Sequence, residues 1–276
     1  MNDHSRRSGE SIIPSSAARE TIVEAVERNW RASARAFGLA PTTVVRDDAE
    51  LFWYVTGLPD AAFNSIMYAN LAPGQVDATI DELFRLRETY DVPMGWLVGP
   101  TSHPTDLGNR LQARGLLHRI TLTPMTLALA SIQAEPVSVP GLTIERVTDA
   151  AVLEEWIVAE GRGFESVGAL GRGLAALRRG MGVGHGFPLV HLLGRLDGAP
   201  VATASVLLDG GIAGIFDVST VPEARQRGIG RAMTVASLQA GRAAGYEIAF
   251  LQPSPMGRPL YERLGFRECC ACRVYS

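Results

Sequence analysis

The sequence predicts an α/β (α+β) protein made of two tandem domains of one type, each a mixed, mostly antiparallel twisted sheet flanked by helices. Three observations carry this. Apolar residues recur at helical spacing in some segments and in short β-branched or aromatic runs in others, and the two kinds alternate along the chain. Each half then repeats one order: a helical opening, a run of antiparallel-type strands, and strand–helix–strand–helix–strand. The endings also match in type. Trp96-Leu97-Val98-Gly99-Pro100 leads through a helix to Arg114-Gly115-Leu116, and Ala249-Phe250-Leu251-Gln252-Pro253 leads through a helix to Leu264-Gly265-Phe266.

In the first half, Ile22, Val23, Val26, Trp30 and Ala34 predict a helix over residues 17–37. Strands are expected at 42–46, 51–56 and 63–71, with turns at Asp47-Asp48 and Gly57–Asp60. A helix over 75–90 follows, then a strand at 95–98, a helix over 105–114 ended by Gly115, and one long strand over 117–129. Residues 131–141, which hold Pro136 and Pro140 and no periodic pattern, read as the interdomain linker. In the second half, 142–147 is a strand and 149–160 a helix capped by Asp149. The five glycines of 161–173 suggest a mobile loop or a broken helix, and 174–179 is helical. Strands follow at 189–196, 201–208 and 212–220, then a helix to about 244. A strand at 248–252, a helix over 255–264 and one strand over 266–275 complete the chain. Residues 1–16 are expected to be a loose tail, 17–130 the first domain and 142–276 the second.

With 276 residues and 46% hydrophobic content, the chain is long enough for two packed cores. A net charge of −3 argues against a nucleic-acid or polyanion surface. No apolar run approaches the roughly 20 residues that span a bilayer. The polar start lacks the apolar core of a secretion signal, so a cytoplasmic protein without membrane partners is expected. Cys269, Cys270 and Cys272 are crowded together without the separated pairs of a zinc site, and read as reduced thiols of a final strand.

The stretch most informative about function is Asp217–Met233. A strand closes on Val218 and Val221 and is stopped by Pro222, which cannot donate to a ladder. Arg225-Gln226-Arg227-Gly228-Ile229-Gly230 follows. From Ile229 on, Ala232, Met233, Ala236 and Ala240 recur at helical spacing. A helix start carries unpaired N–H groups and partial positive charge. Gly228 and Gly230 let an anion approach that backbone, and Arg225, Arg227 and Arg231 add full charges. The segment therefore reads as a cradle for a diphosphate. A nucleotide P-loop needs Lys and then Ser or Thr after the last glycine, where Arg231-Ala232 stands. The dinucleotide fingerprint needs a third glycine, where Met233 stands, and this argues against an NAD-dependent enzyme.

What remains is R-x-x-G-x-G between a strand and a long helix, and it resembles the coenzyme A loop of the GCN5-related N-acetyltransferases (GNAT family). The resemblance covers about residues 142–275. It implies acetyl-CoA as acyl donor, no metal, and a primary amine of a small molecule or protein as acceptor, attacking directly in a ternary complex. It also implies that the pantetheine arm pairs like an added strand with the backbone of Val218, Ser219 and Thr220. The diphosphate is then expected on Arg225, Gln226, Arg227, Gly228, Ile229, Gly230 and Arg231. Ser254 stands where many members have an asparagine that touches the cofactor arm.

The second signature of the resemblance is Pro259–Phe266, P-L-Y-E-R-L-G-F, which implies Tyr261 as general acid toward the departing thiolate. Reference pKa values of about 10 for tyrosine and about 8.5 for a thiol make full transfer uphill by roughly 2 kcal/mol, so strong hydrogen bonding describes the role better. A tyrosine of this kind is otherwise a packing residue. The glutamate base often found in the family falls at Gly214, so Asp217 is the nearest ionisable substitute. Its other reading is a paired or solvated strand-end carboxylate. His185 and His191 are read as structural, and Glu165 as a glycine-rich-loop carboxylate that either meets a cationic substrate or is simply solvated.

The first half lacks this chemistry. The segment aligned with the cradle is Ala72-Pro73-Gly74-Gln75-Val76-Asp77, with no arginine and with an aspartate that repels a diphosphate. Leu111 stands where Tyr261 does. A degenerate copy is expected, one that packs on the active half and shapes its entrance. The family's terminal two-strand hairpin is short of a strand here, which is either supplied by the other half or absent. The tandem arrangement favours a monomer over a homodimer. The competing reading is an acyl-CoA-binding sensor or scaffold without catalysis.

Overall fold

Two sheets, each with one parallel and several antiparallel pairings, order the chain, and each contains a strand from the other half. The structure is a computed structural model and describes residues 11–132, 138–184 and 186–276. Most of the expected tail, the middle of the expected linker and His185 lie outside the described residues.

The first half runs α1 (Arg19–Arg35), β1 (Val44–Asp47), β2 (Leu51–Val55), β3 (Asn64–Ala69), α2 (Val76–Tyr90), β4 (Gly95–Val98), α3 (Leu107–Ala113), β5 (His118–Leu122) and β6 (Met125–Ala128). The second runs β7 (Leu142–Arg146), α4 (Ala150–Gly163), α5 (Gly168–Met181), β8 (Leu189–Leu196), β9 (Ala199–Asp209), β10 (Ile212–Thr220), α6 (Ile229–Ala243), β11 (Ile248–Leu251), α7 (Arg258–Arg263), β12 (Arg267–Glu268) and β13 (Cys272–Tyr275). The first sheet has the order β1-β2-β3-β4-β13-β5 and the second β12-β6-β11-β10-β9-β8-β7. In each sheet one neighbouring pair is parallel, β3 with β4 and β10 with β11.

The strand exchange is reciprocal. β13 lies antiparallel between β4 and β5, and β6 lies antiparallel between β11 and β12. The strand that the second half lacks is thus supplied by the first, and the reverse. Two sequence expectations are corrected by this. The single strand over 117–129 is two strands in different sheets, broken at Pro124, whose missing N–H cannot serve a ladder. The single strand over 266–275 is likewise β12 and β13, one in each sheet. Neither sheet is built from one half alone.

α1 is shared in a similar way. Val23, Ala25 and Val26 pack with Ile212, Ile248 and Phe250 of the second half, while Ala34 packs with Phe52 and Tyr54 of the first. Asn29, fully buried, donates through Nδ2 to the carbonyls of Leu207, Asp209 and Ile212, so one side chain holds the helix to the β9–β10 turn. α6 covers the other side of the second sheet, where Ile229 and Met233 join Val190, Ala204 and Val206.

The glycine-rich segment is a third correction. Gly163, Gly171 and Gly173 mark close packing rather than looseness. α4 continues to Gly163, a turn spans 164–167, and α5 starts at Gly168. A Cβ on Gly163 would overlap Ser219, one on Gly171 the Ser166 carbonyl, and one on Gly173 Leu58 of the first half. No helix among the described residues is long and apolar enough to cross a membrane.

Candidate active site

The start of α6 leaves its backbone donors unclaimed. Gln226 (φ 61°) and Gly228 (φ 81°) both adopt the left-handed region, which turns successive N–H groups toward one side. Gly228 is the N-cap and so offers no capping side chain. The N–H groups of residues 226–231 donate to no other described residue. Gln226, Arg227, Gly228 and Arg231 are exposed. A Cβ on Gly228 would meet only Val139, at 3.6 Å, and one on Gly230 only Leu260 and Thr220, at 3.8 Å, so space for an anion is open above both. Arg227 and Arg231 form no ion pair among the described residues. Arg225 is committed differently: it donates to the carbonyls of Thr220 (3.1 Å) and Gly163 (2.9 Å) and lies 3.6 Å from Glu165. Its guanidinium braces the loop, and its charge adds to the field. The Ile229 side chain is core, leaving only its amide at the helix start.

Beside the cradle a strand edge is open. β10 and β11 are paired only over Ala213–Ile215 with Ala249–Leu251. β10 runs on to Thr220, paired with β9 on one side and with no described strand on the other. A bulge lies between Phe216 and Ser219, with Asp217 at φ 53°. Val218, Ser219 and Thr220 therefore present main-chain groups to the gap where the two strands part. The Thr203 hydroxyl donates to the Asp217 carbonyl on the opposite side and fixes the bulge.

Tyr261, on α7, is 8% exposed and shares an apolar cluster with Val218, Leu251, Leu260 and Phe266 at this same gap. Its hydroxyl makes no hydrogen bond to another described residue. Burial pushes the phenol up to about 12, so it stays protonated at any ordinary pH and acts as a donor. Ser254 is exposed, and its hydroxyl oxygen accepts from the Gly257 N–H (3.1 Å), capping the turn into α7.

Asp217 is not a free carboxylate. Oδ1 accepts from Arg178 (2.7 Å) and Oδ2 from Ser205 (2.8 Å). Arg178 also donates to Glu160 (2.6 Å) and lies over the Trp156 ring, and the His191 Nδ1 is 2.7 Å from Ser205 Oγ. With the serine proton given to Asp217, the histidine nitrogen is the donor to the serine. Burial, with the Arg178 charge nearby, lowers His191 to about 4, so its ring is neutral at pH 7. Burial also raises Glu160 above the usual carboxylate range, against the pull of Arg178. Glu160, Arg178 and Asp217 line a cavity of about 300 Å³ that is otherwise mostly apolar. Asp217 is thus paired, as one of its two sequence readings had it, and it also lines the cavity. Tyr261 does not line this cavity, so the two candidates flank residues 217–218 from different sides.

Glu160, Arg178 and Ser205 were not among the sequence candidates. Both Glu160 and Arg178 are buried charged residues on helices, which nothing in their local sequence marks. A structural reason also appears for the missing glutamate at Gly214. A Cβ there would overlap the Asn29 side chain and the rings of Phe216 and Phe250. The helix contributed by the first half occupies the place the glutamate would need.

Comparison with known proteins bears on the family and the fold. Residues 210–269 match a family model described as an acetyltransferase (GNAT) domain. Among solved structures, a GCN5-related N-acetyltransferase from Kribbella flavida is 18% identical with a TM-score of 0.66, over 90% of this chain and 94% of that one. A GCN5-related N-acetyltransferase from Sphaerobacter thermophilus is 15% identical (TM-score 0.57), over 94% and 93%. A tandem GNAT protein of the clavulanic acid biosynthesis pathway is 15% identical (TM-score 0.56), over 94% and 96%. At these identities the structures show a shared fold across the whole chain. A search of curated protein sequences finds no match.

Proposed function

We propose that the protein is an acetyl-CoA-dependent N-acetyltransferase, since residues 210–269 match a GNAT acetyltransferase domain model and most of the chain shares its fold with a tandem GNAT protein. The acceptor is a primary amine, which attacks directly in a ternary complex. The observation that carries this reading is the adjacency of an open strand edge at 218–220 and an unclaimed set of N–H groups at 226–231. Acetyl-CoA supplies an acyl group activated as a thioester. The chain's own residues do the rest. The amides of 226–231, with Arg227 and Arg231, hold the diphosphate, and an anion on a helix start gains about 0.3–2 kcal/mol from the dipole alone. The backbone of Val218, Ser219 and Thr220 fixes the arm as an added strand. The Ser254 hydroxyl proton remains available to the arm, since only its oxygen is used in capping.

Tyr261 donates a hydrogen bond at the thiolate that leaves. With the phenol near 12, outright proton transfer to a thiol of ordinary pKa is uphill by roughly 5 kcal/mol, so hydrogen bonding carries the effect. Asp217 faces the cavity and accepts a proton from the incoming ammonium, directly or through water. The test is thiol release with acetyl-CoA across amine classes. Tyr261→Phe is expected to lower kcat about 100-fold or more with little change in CoA affinity. Undiminished turnover in that variant removes the donor role. CoA binding with no thiol release from any amine replaces the transferase reading with that of a sensor.

A further inference from the structure

The cavity at Asp217 carries more than a general amine reading. Its walls come from both halves: Phe37 and Phe63 from the first, Phe164, Leu174 and Phe216 from the second. Its volume of about 300 Å³ is at the lower end for small-molecule sites, which run roughly 300–1,000 Å³. Among the described residues its charged side chains are Glu160, Arg178 and Asp217, two carboxylates around one guanidinium. His191 behind them is neutral, and the two carboxylates share one guanidinium. A cation brought to Asp217 gives the second carboxylate a partner of its own, which a buried carboxylate needs. Each Asp217 oxygen accepts a single hydrogen bond from the chain, and a carboxylate oxygen can accept about two, so an ammonium finds room there. Asp217 is also the residue just before the open edge at 218–220, where an acyl end held along that edge would lie.

We propose that this cavity is the acceptor site and that it takes a primary amine on a compact aromatic or aliphatic body bearing no carboxylate, the arylalkylamine class. Asp217 receives the ammonium, and Phe37 and Phe63 make the first half a specificity wall. Calling it the acceptor site rests on the N-acetyltransferase reading above; the ligand class rests on the cavity alone. A second carboxylate would face Glu160 and Asp217, with Arg178 already bound to both. A polyamine would leave its further charges against phenyl rings.

The test is equilibrium binding to the full chain, with and without CoA, of 2-phenylethylamine, 2-phenylethanol, phenylalanine and putrescine. The amine is expected to bind at least tenfold tighter than each of the other three. Asp217→Asn is expected to remove most of that preference over the alcohol. Phe63→Ala, which leaves the ionic cluster intact, is expected to weaken the amine about tenfold and putrescine little. The wild-type ranking is decisive even if Asp217→Asn does not fold. Equal binding of the alcohol, tighter binding of phenylalanine or putrescine, or no binding of the amine overturns the proposal. Thiol release separates the two claims. Amine binding without thiol release removes the transferase reading and leaves the cavity's ligand class standing. Thiol release with polyamines or amino acids only does the reverse.

Discussion

Among the described residues, the start of α6 in the second half offers six unclaimed amides, two glycines and two arginines without an ion pair. At the aligned place in the first half, Ala72 and a turn over Pro73–Gln75 lead into α2, and the Gln75 side chain turns back to accept the Ala72 N–H. Asp77, aligned with Gly230, points its carboxylate at Arg114 (2.8 Å). Glu50 adds a second acidic group beside Gln75. One segment presents donors to solvent, and the other has paired its Ala72 and Gln75 amides and added negative charge. The same contrast holds at the second signature. Gly115 and Gly265 share a left-handed φ after their helices, yet four residues earlier Leu111 is plain core and Tyr261 reaches the gap beside β10. The scaffold is duplicated, while the open cradle and a tyrosine beside the β10 edge occur, among the described residues, in the second half alone. The first half's tasks are mechanical: it supplies β6, the α1 brace and two rings of the cavity wall.

The sharpest way to break the comparison is to force the common GNAT glutamate back into the second half. Gly214→Glu is expected to destabilise the protein by about 3 kcal/mol or more, because the new side chain must displace Asn29 and two rings in a close-packed region. Chemical denaturation measures it. A stable variant would show that α1 yields easily and that the first half does not exclude the glutamate.

The buried polar network is the next difference. His191 is depressed to about 4 in the fold and near 6.5 when unfolded, so between these values the unfolded chain binds the extra proton. Stability from this group is present above pH 6.5 and is lost as pH falls to 4, by up to about 3 kcal/mol. His191→Gln keeps a donor for Ser205 and is expected to flatten the stability profile over that window. An unchanged slope would show that the ring is already charged in the fold. A smaller effect is expected at the cradle's rim. Arg227→Ala should weaken CoA about fivefold at low salt and less at high salt, since exposed charges are screened. Isothermal titration at two ionic strengths separates this from a structural loss.

Much of this was legible before the structure. Gly228, Gly230 and the arginines follow from local rules about helix starts, and the absent glycine and lysine exclude the rival phosphate loops. Tyr261 was legible through its distance from Gly265. What was not legible depends on distant parts of the chain. Pro124 alone suggests a break, but nothing nearby says that the pieces on either side join different sheets. The glycines of 161–173 suggest looseness until Ser219 and Leu58 are found against them. The ring of Glu160, Arg178, Ser205 and His191 comes from four separate elements. The family resemblance located the gap left by Gly214, and only the packing of Asn29 explains it.

The central claim is that a single cradle, in the second half, holds the acyl carrier. The most direct measurement is a calorimetric titration of CoA into the wild-type chain and into Gly230→Asp, which places the first half's aspartate in the second half's cradle. Asp suits the first turn of a helix, and a Cβ at that position has room, so the fold should be kept. The account predicts one site per chain for the wild type and a loss of at least 100-fold in affinity for the variant, with unchanged thermal stability. Two sites per chain, or equal affinity in the folded variant, would contradict it.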